Sequence, residues 1–213
     1  MDCCKMQTYE RQFDEKLASN ELRRYRRRGP NRTTRILIKA LKGEGVEGKT
    51  LLDIGAGVGA ITHALLASGV RRAVIVDASG PYLAAARRVA EVNGTQDRVD
   101  FVRGDFVELA PSIAPADIVT LDRVICCYED MPSLVATSAD RAGRYYGLVF
   151  PRDRWWVQLA IRTLNFVQRL RRHPFLVFAH PSREVEGRIL TRGFEGRFSY
   201  EGVFWQVVLY RRA

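Results

Sequence analysis

"LLDIGAGVG", residues 51–59, carries three features in nine positions. An apolar run ends in an acid, Asp53. Glycines follow at 55, 57 and 59, and the amphipathic run "GAITHALLAS" begins at once. A buried strand turning straight into a helix fits this order, because glycine lets the backbone turn sharply and approach a ligand closely. In an open parallel sheet such a turn lies at the crevice where ligands bind.

The rhythm continues outward. "KTLLDIG", "RRAVIVDA", "RVDFVRGD", "ADIVTLD" and "RYYGLVF" read as strands. "GAITHALLAS", "GPYLAAARRVAEVN" and "MPSLVATSADRA" read as helices, with Pro81 suited to a first turn. Strands alternating with helices predict a parallel sheet wound on both faces. The chain closes with "EGRFSYEG" and "VFWQVVLYRR", two strands joined by a tight turn. Upstream, residues 8–28 read as one polar helix stopped by Gly29–Pro30. Asn31 is placed to cap a second, "RTTRILIKALKG". The expected organisation is a helical cover over 1–45 and a domain over 46–213, with a helical insert near 153–180.

The chain has 213 residues, 46% hydrophobic and 27% charged, which suits a single main domain. It has no run of about 18 uncharged apolar residues, so no membrane-spanning helix is expected. "MDCCKMQTYERQFDEK" lacks the apolar stretch of a secretory signal, so a cytoplasmic location is expected. Net charge is +10, and of 34 basic residues only five are lysine. A general arginine bias accounts for most of them. "RRYRRR" (23–28) and "RLRR" (169–172) are dense enough to meet phosphates, carboxylates or an anionic membrane. Cys3, Cys4, Cys126 and Cys127 form two adjacent pairs. That spacing matches neither a disulfide framework nor a zinc knuckle, so no metal site is expected. Pocket wall is the reading for Cys126 and Cys127.

Two cofactors compete for the glycine loop. A nicotinamide dinucleotide needs G-x-G-x-x-G, with its pyrophosphate on the helix N-terminus. Here the spacing is G-x-G-x-G, with a carboxylate two residues before the first glycine. That charge would repel a pyrophosphate and suit a cationic ligand bearing an amino group and a sulfonium. Asp77 ends the next strand, at the distance where an acid takes ribose hydroxyls. Asp105, in "VRGDF", follows the third strand and can accept from an adenine amino group. Three acids at three successive strand ends describe a site for an adenosine with a positive tail.

On these residues the chain resembles the class I S-adenosylmethionine-dependent methyltransferases: "LLDIGAGVG", the acid of "VIVDAS", the acid of "GDF", and the terminal hairpin. The resemblance covers roughly residues 48–210. It implies a Rossmann-like α/β fold, a doubly wound, seven-stranded, mostly parallel sheet ending in an antiparallel hairpin, with S-adenosyl-L-methionine as cofactor. It implies that Asp53, Gly55 and Gly57 line the methionine end, that Asp77 binds the ribose, and that Asp105 and Phe106 bracket the adenine. Ala56, Gly59, Ala78, Ser79, Gly104 and Asp122 adjoin them in the implied cofactor site.

In this fold the acceptor lies near the end of the fourth strand, here "TLDRVICCYED". No Asn/Asp-Pro-Pro-Tyr/Phe motif stands there, which argues against amino methylation of a base or glutamine. The layout also resembles the magnesium-protoporphyrin IX O-methyltransferases. Shared points are Phe13–Asp14 and Tyr25 before the glycine loop, Asp122 and Tyr128 after strand four, and helical structure after strand five. Asp122, Arg123, Tyr128 and Tyr25 are the candidate catalytic residues. Cys127 stands where that family typically has a histidine, which bears on the porphyrin substrate and not on methyl transfer.

Hydroxyl and amine acceptors usually need a base of pKa near 7. His63 reads as packing or solvent-facing, and His173 and His180 read as loop residues near a pocket mouth. A carboxylate acceptor needs no base, being ionised above about pH 4. Arg123 is placed to hold such a carboxylate, or to pair with Asp122 or Glu129. The expected acceptor is a small or medium, apolar, acidic molecule. RNA is the alternative, and a non-catalytic cofactor-binding protein is another. The helix of "DRWWVQLAIRTLNFVQRLRR" has three readings: packing on the sheet or a dimer interface, which takes precedence, a lid over an apolar substrate, or a peripheral membrane contact through Trp155–Arg172.

Overall fold

The computed structural model describes residues 3–213, with side chains from Gln7 onward. Helices α1 (Cys3–Gln12), α2 (Glu15–Arg28) and α3 (Arg32–Gly43) precede strand β1 (Thr50–Ile54). Then come α4 (Ala60–Leu66), β2 (Arg72–Asp77), α5 (Gly80–Val92), β3 (Val99–Arg103) and the single-turn α6 (Phe106–Leu109). They are followed by β4 (Ala116–Asp122), α7 (Met131–Asp140) and β5 (Ala142–Pro151). The last elements are α8 (Trp155–Leu170), α9 (Ser182–Leu190), β6 (Phe194–Glu201) and β7 (Trp205–Arg212).

The seven strands lie in the order β3-β2-β1-β4-β5-β7-β6. The first five in space are parallel, and β7 runs antiparallel between β5 and β6. This is the Rossmann-like sheet with a terminal hairpin that the sequence predicts. The strand order reverses between β1 and β4, so a crevice opens beyond their carboxyl ends.

Side chains alternate across each strand. Leu52 and Ile54 pack with Tyr146, Leu148 and the α7 and α9 residues Leu134 and Ile189. Leu51 packs on the opposite face with Leu37 and Leu41 of α3 and Ile61 and Leu65 of α4. Helix α3 therefore belongs to the core rather than to a cover. Leu37 lies so close over Gly147 that an added Cβ there would sit 2.8 Å from Leu37 Cδ1.

Two local features differ from the sequence reading. The polar helix of 8–28 is two helices, because Asp14 accepts from the Leu17 amide at 2.8 Å and starts α2 afresh. Asn31 stands at the N-cap position of α3 but makes no cap bond; its Oδ1 accepts from Arg24 instead. Helix α8 packs on the protein through Val157 and Ile161, while Trp155 and Trp156 face outward. Among the described residues no helix is long and apolar enough to cross a membrane.

His63 of α4 is buried beneath the glycine loop, where a Cβ on Gly59 would lie 2.7 Å from its Nε2. Burial pushes its pKa down to about 4, against the weaker pull of the Val58 and Ala86 backbone. Between the ordinary histidine value and about pH 4 the unfolded chain binds the proton and the folded chain does not. Stability is therefore lost as pH falls through that window, by about 3 kcal/mol in full. His63→Leu should remove this loss, so urea unfolding of wild type and variant should diverge below neutral pH. Parallel stability profiles from pH 7 to 4 would contradict it.

Candidate active site

A cavity of about 280 Å³ opens above the carboxyl ends of β1, β2 and β4. Gly55–Val58, Asp77–Ala78, Gly104–Phe106 and Asp122–Val124 form its floor and sides. Tyr9 and Phe13 of the α1 end and Tyr25 of α2 close over it.

The glycine loop is held from β2. The Gly57 amide donates to Asp77 Oδ2 at 3.0 Å, and the Ser79 amide donates to Oδ1 at 2.8 Å. Burial pushes the Asp77 carboxyl up to about 6, against those two amides. Gly55 has φ +61°, and a Cβ there would lie 2.5 Å from Val124 Cγ2. A bare, left-handed backbone at this point is what lets the loop pass Val124 and still face the cavity. Ser79 itself is turned from the cavity. Its Oγ accepts from the Tyr82 amide at 3.3 Å and donates to the Phe13 carbonyl at 2.7 Å.

Asp53 also stands apart from the cavity, for a reason the strand dictates. It is two residues from Leu51, so it shares that residue's face and points toward α4. Its register partner on β4 is Thr120. The carboxylate accepts from Thr120 Oγ1 at 2.7 Å and Thr62 Oγ1 at 2.8 Å. Burial raises its pKa to about 7, against those two hydroxyls.

Asp105 begins α6 by accepting from the Val107 amide at 3.0 Å. Tyr128 donates its hydroxyl to both Asp105 oxygens, at 2.8 and 2.9 Å. Tyr128 therefore sits with the expected adenine acid rather than beside Asp122. Burial, then the Asp105 bond, push its hydroxyl pKa up. Phe106 is buried against the same end of the cavity.

Asp122 and Arg123 are each other's partners. Arg123 has φ +62°, uncommon for a long side chain, and its amide donates to the Val149 carbonyl at 2.8 Å. The side chain folds back so that Nε donates to Asp122 Oδ1 at 3.0 Å. Thr34 Oγ1 donates to Asp122 Oδ2 at 2.5 Å, and Arg123 Nη2 donates to Thr34 Oγ1 at 3.1 Å.

The upper wall combines Phe13 and Tyr25, named by the second resemblance, with Tyr9, Glu21 and Arg24, which no motif pointed to. Tyr9 donates to the Cys127 carbonyl at 3.1 Å. Phe13 packs edge-on against Tyr82 and Phe175, with ring centres 6.0 and 5.4 Å apart. Glu21 accepts from the Tyr82 hydroxyl at 2.6 Å, and Arg24 lies beside it. Burial raises the pKa of Tyr25. Tyr9, Glu21 and Arg24 arrive from helices whose sequence shows only charge and period. Cys127 lines the cavity and Cys126 is buried behind it, with sulfurs 3.8 Å apart and no disulfide. The side chains of Cys3 and Cys4 lie outside the described residues. None of the three histidines lines the cavity. His180 Nε2 meets the Tyr128 carbonyl at 2.9 Å, and His173 Nδ1 accepts from the Phe175 amide at 3.3 Å.

This arrangement fits an adenosyl group. A carboxylate has about four lone-pair sites. Two loop amides occupy part of that capacity on Asp77, and the cavity faces the rest. Gly55 and Gly57 leave two positions of the loop without a Cβ on the cavity floor. The sheet order and terminal hairpin are those of the Rossmann-like methyltransferase fold. Residues 51–141 match the family described as "Methyltransferase domain".

Similar proteins share this part of the chain. The ribosomal protein L11 methyltransferase of Alteromonas mediterranea is 34% identical over 93 residues, 43% of this chain and 32% of that protein. The chain spans between 25% and 47% of the length of such curated relatives. Among solved structures, magnesium protoporphyrin IX methyltransferase from Synechocystis PCC 6803 with bound SAH has a TM-score of 0.69 at 18% identity. That match covers 85% of this chain and 82% of the other. An O-methyltransferase family protein from Burkholderia thailandensis has a TM-score of 0.72 at 14% identity, covering 96% and 62%.

Proposed function

We propose that this protein transfers a methyl group from S-adenosyl-L-methionine to a small or medium, apolar, acidic acceptor, by O-methylation. The observation that carries the reading is Asp77, bonded to the glycine loop and facing a cavity walled above by aromatic rings. The cofactor supplies an electrophilic methyl on its sulfonium. Asp77 accepts from the ribose hydroxyls, and Asp105, Tyr128 and Phe106 form the adenine end. Gly55, Ala56 and Gly57 let the backbone lie against the ligand. Asp53 supports the loop from within the core rather than touching it.

The chain's remaining task is to place the acceptor and exclude water, which supplies much of the rate in a direct displacement. Tyr9, Phe13 and Tyr25 do this from above, making α1 and α2 the cover. Arg24 and Arg123 line the cavity, each beside a carboxylate, Glu21 and Asp122 respectively. With no histidine in the wall, an acceptor already ionised at neutral pH fits best. A cavity closed by helices suits a free molecule better than RNA.

The test is thermal unfolding with S-adenosylhomocysteine or NAD. A ligand at a hundred times its dissociation constant stabilises by about 2.7 kcal/mol. A shift with S-adenosylhomocysteine is expected, and a shift with NAD alone would overturn the cofactor. Labelled methyl should then enter apolar carboxylic acids. Label entering RNA would move the acceptor class, and a cofactor shift with no acceptor labelled would mark a non-catalytic member.

A further inference from the structure

Helix α8 carries its apolar residues outward. At about 100° per residue, Trp155, Leu159, Thr163, Phe166 and Leu170 form one stripe along some 22 Å of helix. Trp155, Phe166 and Leu170 are 72%, 62% and 69% exposed. Val157 and Ile161, on the opposite side, are the buried ones. The arrangement is the reverse of an ordinary surface helix, whose apolar stripe faces the core.

Charge says what covers the stripe. Residues 154–183 contain six arginines and no Asp or Glu. Arg162 and Arg169 are exposed along one edge of the stripe, and Arg171 lies toward the other. A second copy placed face to face would bring these arginines against their own kind. A surface that is apolar inside and negatively charged outside matches both features. We propose that α8 lies in the interface of an anionic lipid bilayer, with Trp155, Leu159, Phe166 and Leu170 among the acyl chains and the arginines at the headgroups.

The helix is also tied to the cavity. The Asn165 side chain donates to the Val177 carbonyl at 2.7 Å and accepts from its amide at 3.0 Å. The next residue, Phe178, donates its amide to the Cys126 carbonyl at 2.7 Å. A helix seated on a bilayer thus holds the cavity's Cys127 side near the lipid. The proposal stands on the surface itself and holds whatever reaction the cavity performs.

Flotation of the full chain with phosphatidylcholine vesicles, with and without phosphatidylglycerol, tests it. The protein should float with the anionic vesicles, less so at high salt, and brominated lipid should quench its tryptophans. Phe166→Ser with Leu170→Ser, and separately Arg162→Gln with Arg169→Gln, should each weaken partitioning about tenfold or more. These side chains are exposed, and an unchanged thermal melt verifies the fold. Equal binding to neutral vesicles, or unchanged binding by either variant, overturns the proposal. So does a dimer that Phe166→Ser with Leu170→Ser abolishes while the wild type ignores lipid.

Discussion

Asp77→Ala weakens S-adenosylhomocysteine binding by about a hundredfold or more, as read by titration calorimetry. Hydrogen bonds to a charged group contribute about 1.5–3 kcal/mol each, and a ribose diol makes two. The same change unties Gly57 and Ser79, whose amides Asp77 holds. A pH profile separates the two effects. The Asp77 carboxyl is pushed up to about 6 by burial, so below that pH it is mostly protonated and must lose its proton to accept both hydroxyls. Wild-type affinity therefore falls about tenfold per pH unit below 6 and levels off above it. Asp77→Asn keeps the size of the group and removes this dependence. Unchanged affinity in Asp77→Ala, or a flat wild-type profile, would show that another residue takes the ribose.

The second large effect belongs to Gly55→Ala. A Cβ at φ +61° costs about 1–2 kcal/mol for an L-residue. The same Cβ lies 2.5 Å from Val124 Cγ2, and forcing atoms into a packed site costs about 1–3 kcal/mol more. Denaturant unfolding should therefore show a loss of about 2–5 kcal/mol. Val124→Ala in the same chain relieves the contact but not the backbone. The double variant should recover the packing part and keep the rest. A double variant no more stable than Gly55→Ala would mean that the conformation alone carries the cost. Val124 follows Asp122 and Arg123, so its displacement reaches that side of the cavity.

The sheet was legible because each strand and helix repeats its own period, and the loop because glycine spacing has a geometric meaning. The hairpin and its turn were legible for the same reason. The side chains that meet across the cavity were not. Tyr128 bonded to Asp105 and Thr34 bonded to Asp122 are separated by 23 and 88 residues, and no local pattern announces such pairs. Asp53 is a different case. Its parity with Leu51 already places it on the α4 face, and Thr120 opposite it follows from the register. Its carboxylate was read by its place in a motif when its place on a strand decided its direction. Arg123 was read with open alternatives, and its left-handed backbone selects the pairing with Asp122. The break at Asp14 was hidden because the residues on both sides favour helix. Only the capping bond to Leu17 separates them.

Ser79 is a latch between floor and roof. Its amide secures Asp77, its hydroxyl accepts from the first turn of α5, and the same hydroxyl donates to the Phe13 carbonyl above. Lifting α1 away must therefore break a bond to the residue that steadies Asp77. The roof is thus coupled through one hydroxyl to the residue beside Asp77, so lifting it there disturbs the floor.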